Sequence, residues 1–433
     1  MNVEAVGGPI SADQLDSLVA VLEAVRHGAA RTRPQLTAHL GYGRNLISQR
    51  VERLLAAKIL REGRFGPSTG GRAPRELSLN GAAGRLLVAE LDTTYAVVAL
   101  SDLDARLYEV RHLEVDVRLG PVPILDKIGD RFDDLLAADG DSTTPLWGIG
   151  LGVPGPVEFA TGRPVAPPIM PGWDDFDIRG YLAHRFSAPV YVDNDVNVMA
   201  LGELRSGLAR NHEDVIYLKV GAGIGAGIIT AGRLHRGAQG SAGDVGHIPM
   251  SDDLTTVCRC GKVRCIEASA GGLALERRAA ELVGNGESRL LADRVAAGHP
   301  LTVEDIKHAA LHWDPAAQRL LRDSAHLVGD LLAQMASVLN PALILVGGVV
   351  ADSGETYLAE VRQVVFQNAT ELATRSVEIR RAPEGDLAGL RGAAALVVDA
   401  LLSKGTLGTW IEHGTPAELT SLSSPRFRRP VTA

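Results

Sequence analysis

The sequence predicts an α/β protein in two parts, a small basic helical module followed by a larger two-lobed body. Three observations predict it. Basic charge is concentrated in one stretch, a strand–turn–strand pattern occurs twice, and every cysteine falls in one short loop. The chain has 433 residues, 45% of them hydrophobic, enough for two or three domains with sizeable cores. The longest apolar runs, such as Leu343–Val350, are far shorter than the roughly 20 residues that span a bilayer. The first residues lack the charged-then-apolar pattern of a signal peptide. A soluble, cytoplasmic protein with no membrane contact is expected.

The net charge of −8 hides an asymmetry. Between Arg26 and Arg75 stand eleven lysines and arginines against only Glu52 and Glu62, a surplus of nine that leaves −17 for the rest. A basic module on an acidic body is drawn to phosphate backbones. Within that module Leu15, Leu18, Val19, Leu22 and Val25 recur at helical spacing, and Gly28 follows as a stop. Thr32 with Gln35 matches a capping box, and Pro34 suits a first turn. A short helix carrying Leu36 and Leu40 then meets the turn Gly41-Tyr42-Gly43. A third helix runs from about Arg44 to Ala57 and buries Ile47, Val51, Leu54 and Leu55. Arg44, Asn45, Ser48 and Gln49 then point away near its N-terminus, where a recognition helix reads base edges, with Arg50 beside them. Ile59–Arg64 and Arg75–Leu79 read as the strands of a wing. Its loop, Pro67 to Pro74, carries Arg72 at the tip, suited to a minor groove. Residues 12–80 are therefore expected to be a winged helix-turn-helix on a double-stranded DNA operator. The blander reading of the same pattern is a helical dimerisation domain with a solvated basic face.

The body repeats itself. Leu86–Leu91, the turn Asp92-Thr93-Thr94 and Tyr95–Leu100 form one hairpin; Val215–Val220, the turn Gly221–Gly225 and Ala226–Thr230 form another. Each later gains a partner strand ending in glycine, Trp147–Gly155 and Leu343–Gly348. Two similar α/β lobes with a ligand cleft between them follow.

Gly152-Val153-Pro154-Gly155, Asp193-Asn194-Asp195-Val196-Asn197, Ala200-Leu201-Gly202-Glu203, Gly243-Asp244-Val245-Gly246-His247 and the cysteine cluster resemble the ROK family of bacterial repressors and sugar kinases. The winged module, down to its Gly-Gly-Arg loop, is similar to the family's repressor branch. The resemblance implies an actin-like (ribonuclease-H-like) body over residues 85–402. Residues 405–433, rich in Ser, Thr, Pro and Gly, are expected to be a flexible tail.

Cys258, Cys260 and Cys265 give C-x-C-x4-C with His247 upstream. An odd, clustered set is a poor disulfide framework, whereas three thiolates and an imidazole form the closed set of structural zinc, one Zn2+ per chain. The alternative is three buried free thiols.

In family kinases the aspartate of the Asn-Asp pair is a general base; here it is Asp195, a vestigial candidate. The resemblance also implies sugar contacts by Asn194, Asp195, Asp244, His247 and Glu267. Asp244 is one methylene shorter than the usual glutamate. Ile169 stands where sugar-binding members carry an asparagine before Pro171-Gly172-Trp173. The phosphate loops depart further. Asp92-Thr93-Thr94-Tyr95 lacks the glycines of Asp-x-Gly-Gly-Thr, and Ala222 replaces the threonine of Gly-Thr-Gly. The expectation is a repressor-type regulator, homodimeric or homotetrameric through helices such as Ala316–Val338. It would sense a sugar or sugar derivative without phosphorylating it. The competing expectations are an ATP-dependent sugar kinase with a DNA-binding arm, and a ligand-independent regulator controlled by a partner protein.

Overall fold

The computed structural model describes residues 10–65, 74–141, 143–383 and 385–413. The N-terminal module consists of helices α1 (Ala12–Arg26), α2 (Arg33–Leu40) and α3 (Arg44–Ala56), then the antiparallel hairpin of β1 (Leu60–Phe65) and β2 (Arg75–Leu79). This is the arrangement read from the sequence, and local chemistry explains it. Ser11 and Gln14 close a capping box on α1. Thr32 caps α2 by accepting from Gln35 N–H, but the Gln35 side chain turns to Arg31 N–H and leaves the reciprocal bond of a capping box unmade. Gly41 ends α2 in the left-handed conformation, φ 70°. Leu18, Leu22, Leu36, Ile47, Val51 and Leu54 form the module's interior.

The first lobe comprises β3 (Arg85–Leu91), β4 (Tyr95–Ser101), β5 (Leu107–Glu114), α4 (Pro121–Asp139), β6 (Leu146–Val153), the short pair β7 (Val157–Glu158) and β8 (Arg163–Pro164), α5 (Ile178–Phe186), β9 (Val190–Asn194) and α6 (Asp195–Ser206). Its sheet has the order β5-β4-β3-β6-β9, an antiparallel meander extended by two parallel strands. The second lobe comprises β10 (Val215–Val220), β11 (Ile224–Thr230), β12 (Arg233–His235), α7 (Glu267–Ala270), α8 (Gly272–Gly284), α9 (Arg289–Ala296), α10 (Val303–Leu311), α11 (Pro315–Leu339), β13 (Leu343–Gly347), α12 (Glu355–Asn368), α13 (Glu371–Thr374) and β14 (Glu378–Arg381). Its sheet, β12-β11-β10-β13-β14, repeats the same order and directions. The duplication expected from the two hairpins is therefore a true repeat of topology.

Helix α14 (Gly385–Leu401) returns to pack on α6 and on the first sheet, while α6 packs on the second, so the two helices lie between the lobes. Their backbones touch: a Cβ on Gly202 would lie 1.9 Å from Ala388 O, and one on Gly392 would lie 1.8 Å from Val198 O. Only glycine permits that approach.

One expectation needs correction. Gly405 does not begin a loose tail, because helix α15 (Lys404–His413) continues the body. Leu407, Trp410 and Ile411 are buried, and Trp410 meets Trp147 edge-on at 4.1 Å. That buried apolar face outweighs the two glycines that weaken a helix here; residues 414–433 lie outside the described residues. The helix expected to offer dimer contacts, α11, buries Leu320, Val328, Leu331 and Leu332 inside its own lobe, against α8, α10 and α12. Its outward side carries Arg319, Arg322, His326 and Gln334 with an exposed Val338 near its end. Among the described residues no helix is long and apolar enough to cross a membrane.

Candidate functional site

A cleft of about 820 Å3, counting its open mouth, lies between the lobes, within the range of small-molecule pockets. The turn between β3 and β4, the start of α6, the end of β10 and the segment from Gly240 to His247 all reach it. Asn194, Asp195, Asp244, His247 and Glu267, five positions scattered over the sequence, all line it, as does Ile169.

Their environments differ. Asn194 is the N-cap of α6: its Oδ1 accepts from the N–H of Val196 (3.0 Å) and Asn197 (3.3 Å). Its Nδ2 donates to Gly155 O (3.0 Å) and Asp195 Oδ1 (2.9 Å), so its amide is already engaged by the protein. Asp195 is buried, and desolvation pushes its carboxyl above the ordinary range despite a nearby cation. Glu267 accepts the N–H of Ile224 at 3.1 Å, and burial raises it as well. A Cβ on Gly223 would lie 2.4 Å from Glu267 Oε2. The glycine of the second hairpin thus makes room for this carboxylate. Asp244 is exposed at the mouth, 3.8 Å from His247 Nε2.

The side of the cleft nearest the first hairpin is filled by the protein's own groups. In the first hairpin Asp92 Oδ1 takes the Thr93 N–H at 2.6 Å and its hydroxyl at 3.0 Å, so this backbone donor is spent internally. The residue that sequence reading missed is Lys219, on β10. Its ammonium lies 2.8 Å from Asp92 Oδ2 and 2.7 Å from Asp195 Oδ2. Burial disfavours its charge, but Asp195 and Asp92 overrule burial and hold it well above the ordinary lysine range. Burial likewise acts to raise Asp92, and Lys219 overrides that to hold it below the usual carboxylate value. Beneath them Glu90 is fully buried with neither carboxyl oxygen hydrogen-bonded among the described residues, and desolvation raises its carboxyl well above the ordinary range.

The ligand atoms of His247, Cys258, Cys260 and Cys265 lie within 4.8 Å of one another and could hold a metal ion. Cys258 Sγ is 3.6 Å from His247 Nδ1, and Cys260 Sγ is 3.6 Å from Cys265 Sγ. The edges of a tetrahedron with bonds near 2.3 Å are about 3.8 Å, so the donor set fits. Desolvation and the neighbouring thiols push the Cys265 thiol up to about 12. Arg264 adopts φ 68° and braces itself by donating to Ser251 O at 2.8 Å. A left-handed non-glycine residue costs about 1–2 kcal/mol.

On α3, Arg44, Asn45, Ser48 and Gln49 are all exposed. Arg50 is not with them: it turns inward and donates to Ser17 Oγ of α1 at 2.6 Å. Helical geometry explains the difference, since Arg50 lies beside Ile47 and Val51 on the packed side. Arg33 engages both Glu52 and Glu62 at 2.7 Å, so one arginine occupies both acids of the basic segment. Arg72 lies outside the described residues.

Charge adds to the apolar contact between the module and the body. Arg26 at the end of α1 pairs with Asp399 of α14. Asp399 also takes Arg205, at the end of α6, at 3.0 Å, and Arg205 touches His27 at 2.6 Å.

Two lobes of repeated topology around a cleft, with a Cys3His loop at its edge, define a protein of the sugar-kinase and repressor class. The ROK family pattern matches residues 90–400, and the chain belongs to that family. It is 28% identical over 393 residues to the xylose repressor of Caldicellulosiruptor bescii, covering 90% of this chain and 97% of that protein. It is 34% identical over 279 residues to the glucokinase of Halalkalibacterium halodurans, covering 64% of this chain and 84% of that one. Among solved structures, a ROK family transcriptional regulator homologous to the E. coli MLC protein superposes with a TM-score of 0.75. It covers 90% of this chain and 98% of that one at 20% identity, a likeness of fold.

Proposed function

We propose that this protein is a DNA-binding transcriptional regulator, of repressor type, that senses a sugar or sugar derivative between its lobes without phosphorylating it. One observation carries the reading: a single chain pairs a solvent-facing polar and basic helix with a sugar-type cleft whose phosphate side is closed by Asp92, Thr93 and Lys219. The near full-length similarity to a xylose repressor supports it.

In this reading Arg44, Asn45, Ser48 and Gln49 meet base edges, Arg72 the minor groove, and Arg50 serves the module's packing. Asp195, Asp244, His247 and Glu267 accept or donate hydrogen bonds to ligand hydroxyls, and Asn194 shapes the site as a cap. Zn2+ held by His247 Nδ1 and the three thiolates is structural, with no open position for a reacting water. It fixes the loop between the cleft residues His247 and Glu267. His247 then serves both sites, its Nε2 facing Asp244 and the ligand. Helix α6 links the events: it starts at Asp195 in the cleft and carries Arg205 in its last turn, on the Asp399–Arg26 contact with α1. A ligand that shifts α6 changes how the DNA-binding module is held, by no more than its differential affinity for the two states. A homodimer or homotetramer would match an operator with two half-sites.

Fluorescence anisotropy on the DNA upstream of the protein's own coding sequence, against random DNA across a salt series, tests this. Tighter binding to the upstream DNA, weakening steeply with salt, is expected. Absence of salt-dependent binding to any DNA would overturn it. The retention of Asp195 and the glucokinase similarity favour a second reading, a sugar kinase with a DNA-binding arm. Sugar-dependent ADP release would establish it.

A further inference from the structure

Asp92 belongs to the turn of the first sheet, Asp195 opens the helix between the lobes, and Lys219 stands on a central strand of the second sheet. Lys219 Nζ reaches both carboxylates, at 2.8 and 2.7 Å, from a side chain only 11% exposed. Two carboxylates converging across a cleft, with a third acid, Glu90, buried nearby and unpartnered among the described residues, form an all-oxygen environment. Hard divalent cations favour such a set, and phosphoryl transfer uses metal ions held this way.

We infer that Lys219 is the resident cation of this cleft: its ammonium takes the place between Asp92 and Asp195 that a divalent ion would hold, so the cleft admits uncharged polyols and excludes metal–nucleotide complexes. The tie also crosses from one lobe to the other, because Asp92 sits in the turn of the first sheet and Lys219 on a strand of the second. A covalently attached cation offsets part of the charge of the two carboxylates without bringing a phosphate with it. A polyol hydroxyl donating to Asp195 competes with Lys219 for the same carboxylate, which connects ligand entry to the tie between the lobes. The inference deepens the non-phosphorylating reading of the cleft and rests on it. DNA binding is read separately, by anisotropy, so one can fail while the other stands.

Removing the ammonium should create a metal site. The full-length, zinc-loaded protein is titrated with Mn2+, and free Mn2+ is followed by electron paramagnetic resonance. Mn2+ prefers oxygen ligands and competes poorly for thiolates. Wild type is expected to show no cleft Mn2+. Lys219→Ala, and Lys219→Gln as a better-filled second variant, should bind a single Mn2+ per chain about ten-fold tighter than wild type or more. Adding Asp92→Asn should abolish that binding. Circular dichroism and zinc content establish that each variant is folded. Equal Mn2+ binding by wild type and variants would overturn the inference, as would a folded Lys219 variant that binds none. Should neither variant fold, wild-type Mn2+ binding that disappears with Asp92→Asn would overturn it, and its absence would support it.

Discussion

The two lobes share a topology and differ at one pair of equivalent positions. Glu90 is the next-to-last residue of β3 and pairs across the sheet with Gly152; Lys219 is the next-to-last residue of β10 and pairs with Gly347. Duplication delivers both side chains to the middle of the molecule. Glu90 has no hydrogen-bond partner among the described residues and burial pushes its carboxyl well up, whereas Lys219 is held by two aspartates that favour its charge. A repeated backbone fixes where a side chain arrives, and the neighbours decide its charge. The lobes also diverge in what they carry. One continuous core joins the N-terminal module, α6, α14 and the facing sides of both sheets, and each lobe builds a further core on its other side; the second lobe alone supports the Cys3His loop.

The largest expected effect isolates the second lobe. Cys265→Ala should abolish zinc binding, measured by metal analysis. Metal binding energy is local folding energy, so hydrogen exchange should rise across residues 247–267 while β3 and β4 stay protected. Uniform loss of protection in both lobes would show that the lobes are not separate units.

Asp399→Asn tests the link from the first lobe to α1. Burial opposes the Asp399 charge, but Arg26 and Arg205 prevail and hold its carboxyl below the usual value. A depressed folded-state value means stability that is present above the unfolded pKa near 3.9 and lost as pH falls through the folded one. The variant should lose about 1–3 kcal/mol in urea denaturation at neutral pH, a difference that shrinks in acid. It should also blunt the effect of ligand on DNA binding.

Glu90→Gln addresses the comparison directly. The raised Glu90 value means that the native state holds a proton the unfolded chain releases, so stability falls as pH rises above the unfolded pKa near 4.3. The neutral isostere should flatten that decline. An unchanged pH profile would place the charge of the cluster elsewhere. The smallest effect is Ile169→Asn, which restores a hydrogen-bonding side chain to the wall of the cleft. About 1 kcal/mol tighter sugar binding is expected by calorimetry.

Much of this was legible in the sequence because its signals are local. Helix periodicity, glycine turns and the Cys-x-Cys-x4-Cys spacing gave the module, both hairpins and the metal loop, with strand ends off by a residue or two. Long-range pairing was not legible. Lys219 sits inside the apolar strand Val215–Val220, 127 residues from Asp92, and only the lobe packing brings them together. Asn194 carries an N-cap signal ahead of a helix, and its resemblance to a sugar contact masked that signal. Arg50 could have been placed from helical phase alone. Helix α15 was hidden by its glycines, and burial of Trp410 against Trp147 makes it.

The most direct test follows the protein bound to labelled upstream DNA while sugars and sugar phosphates are added one at a time, with and without ATP, and ADP release is recorded in parallel. The account predicts that one polyol weakens DNA binding about ten-fold or more, equally with and without ATP, and with no ADP formed. A panel without effect on the complex, or a release that requires ATP turnover, would contradict it.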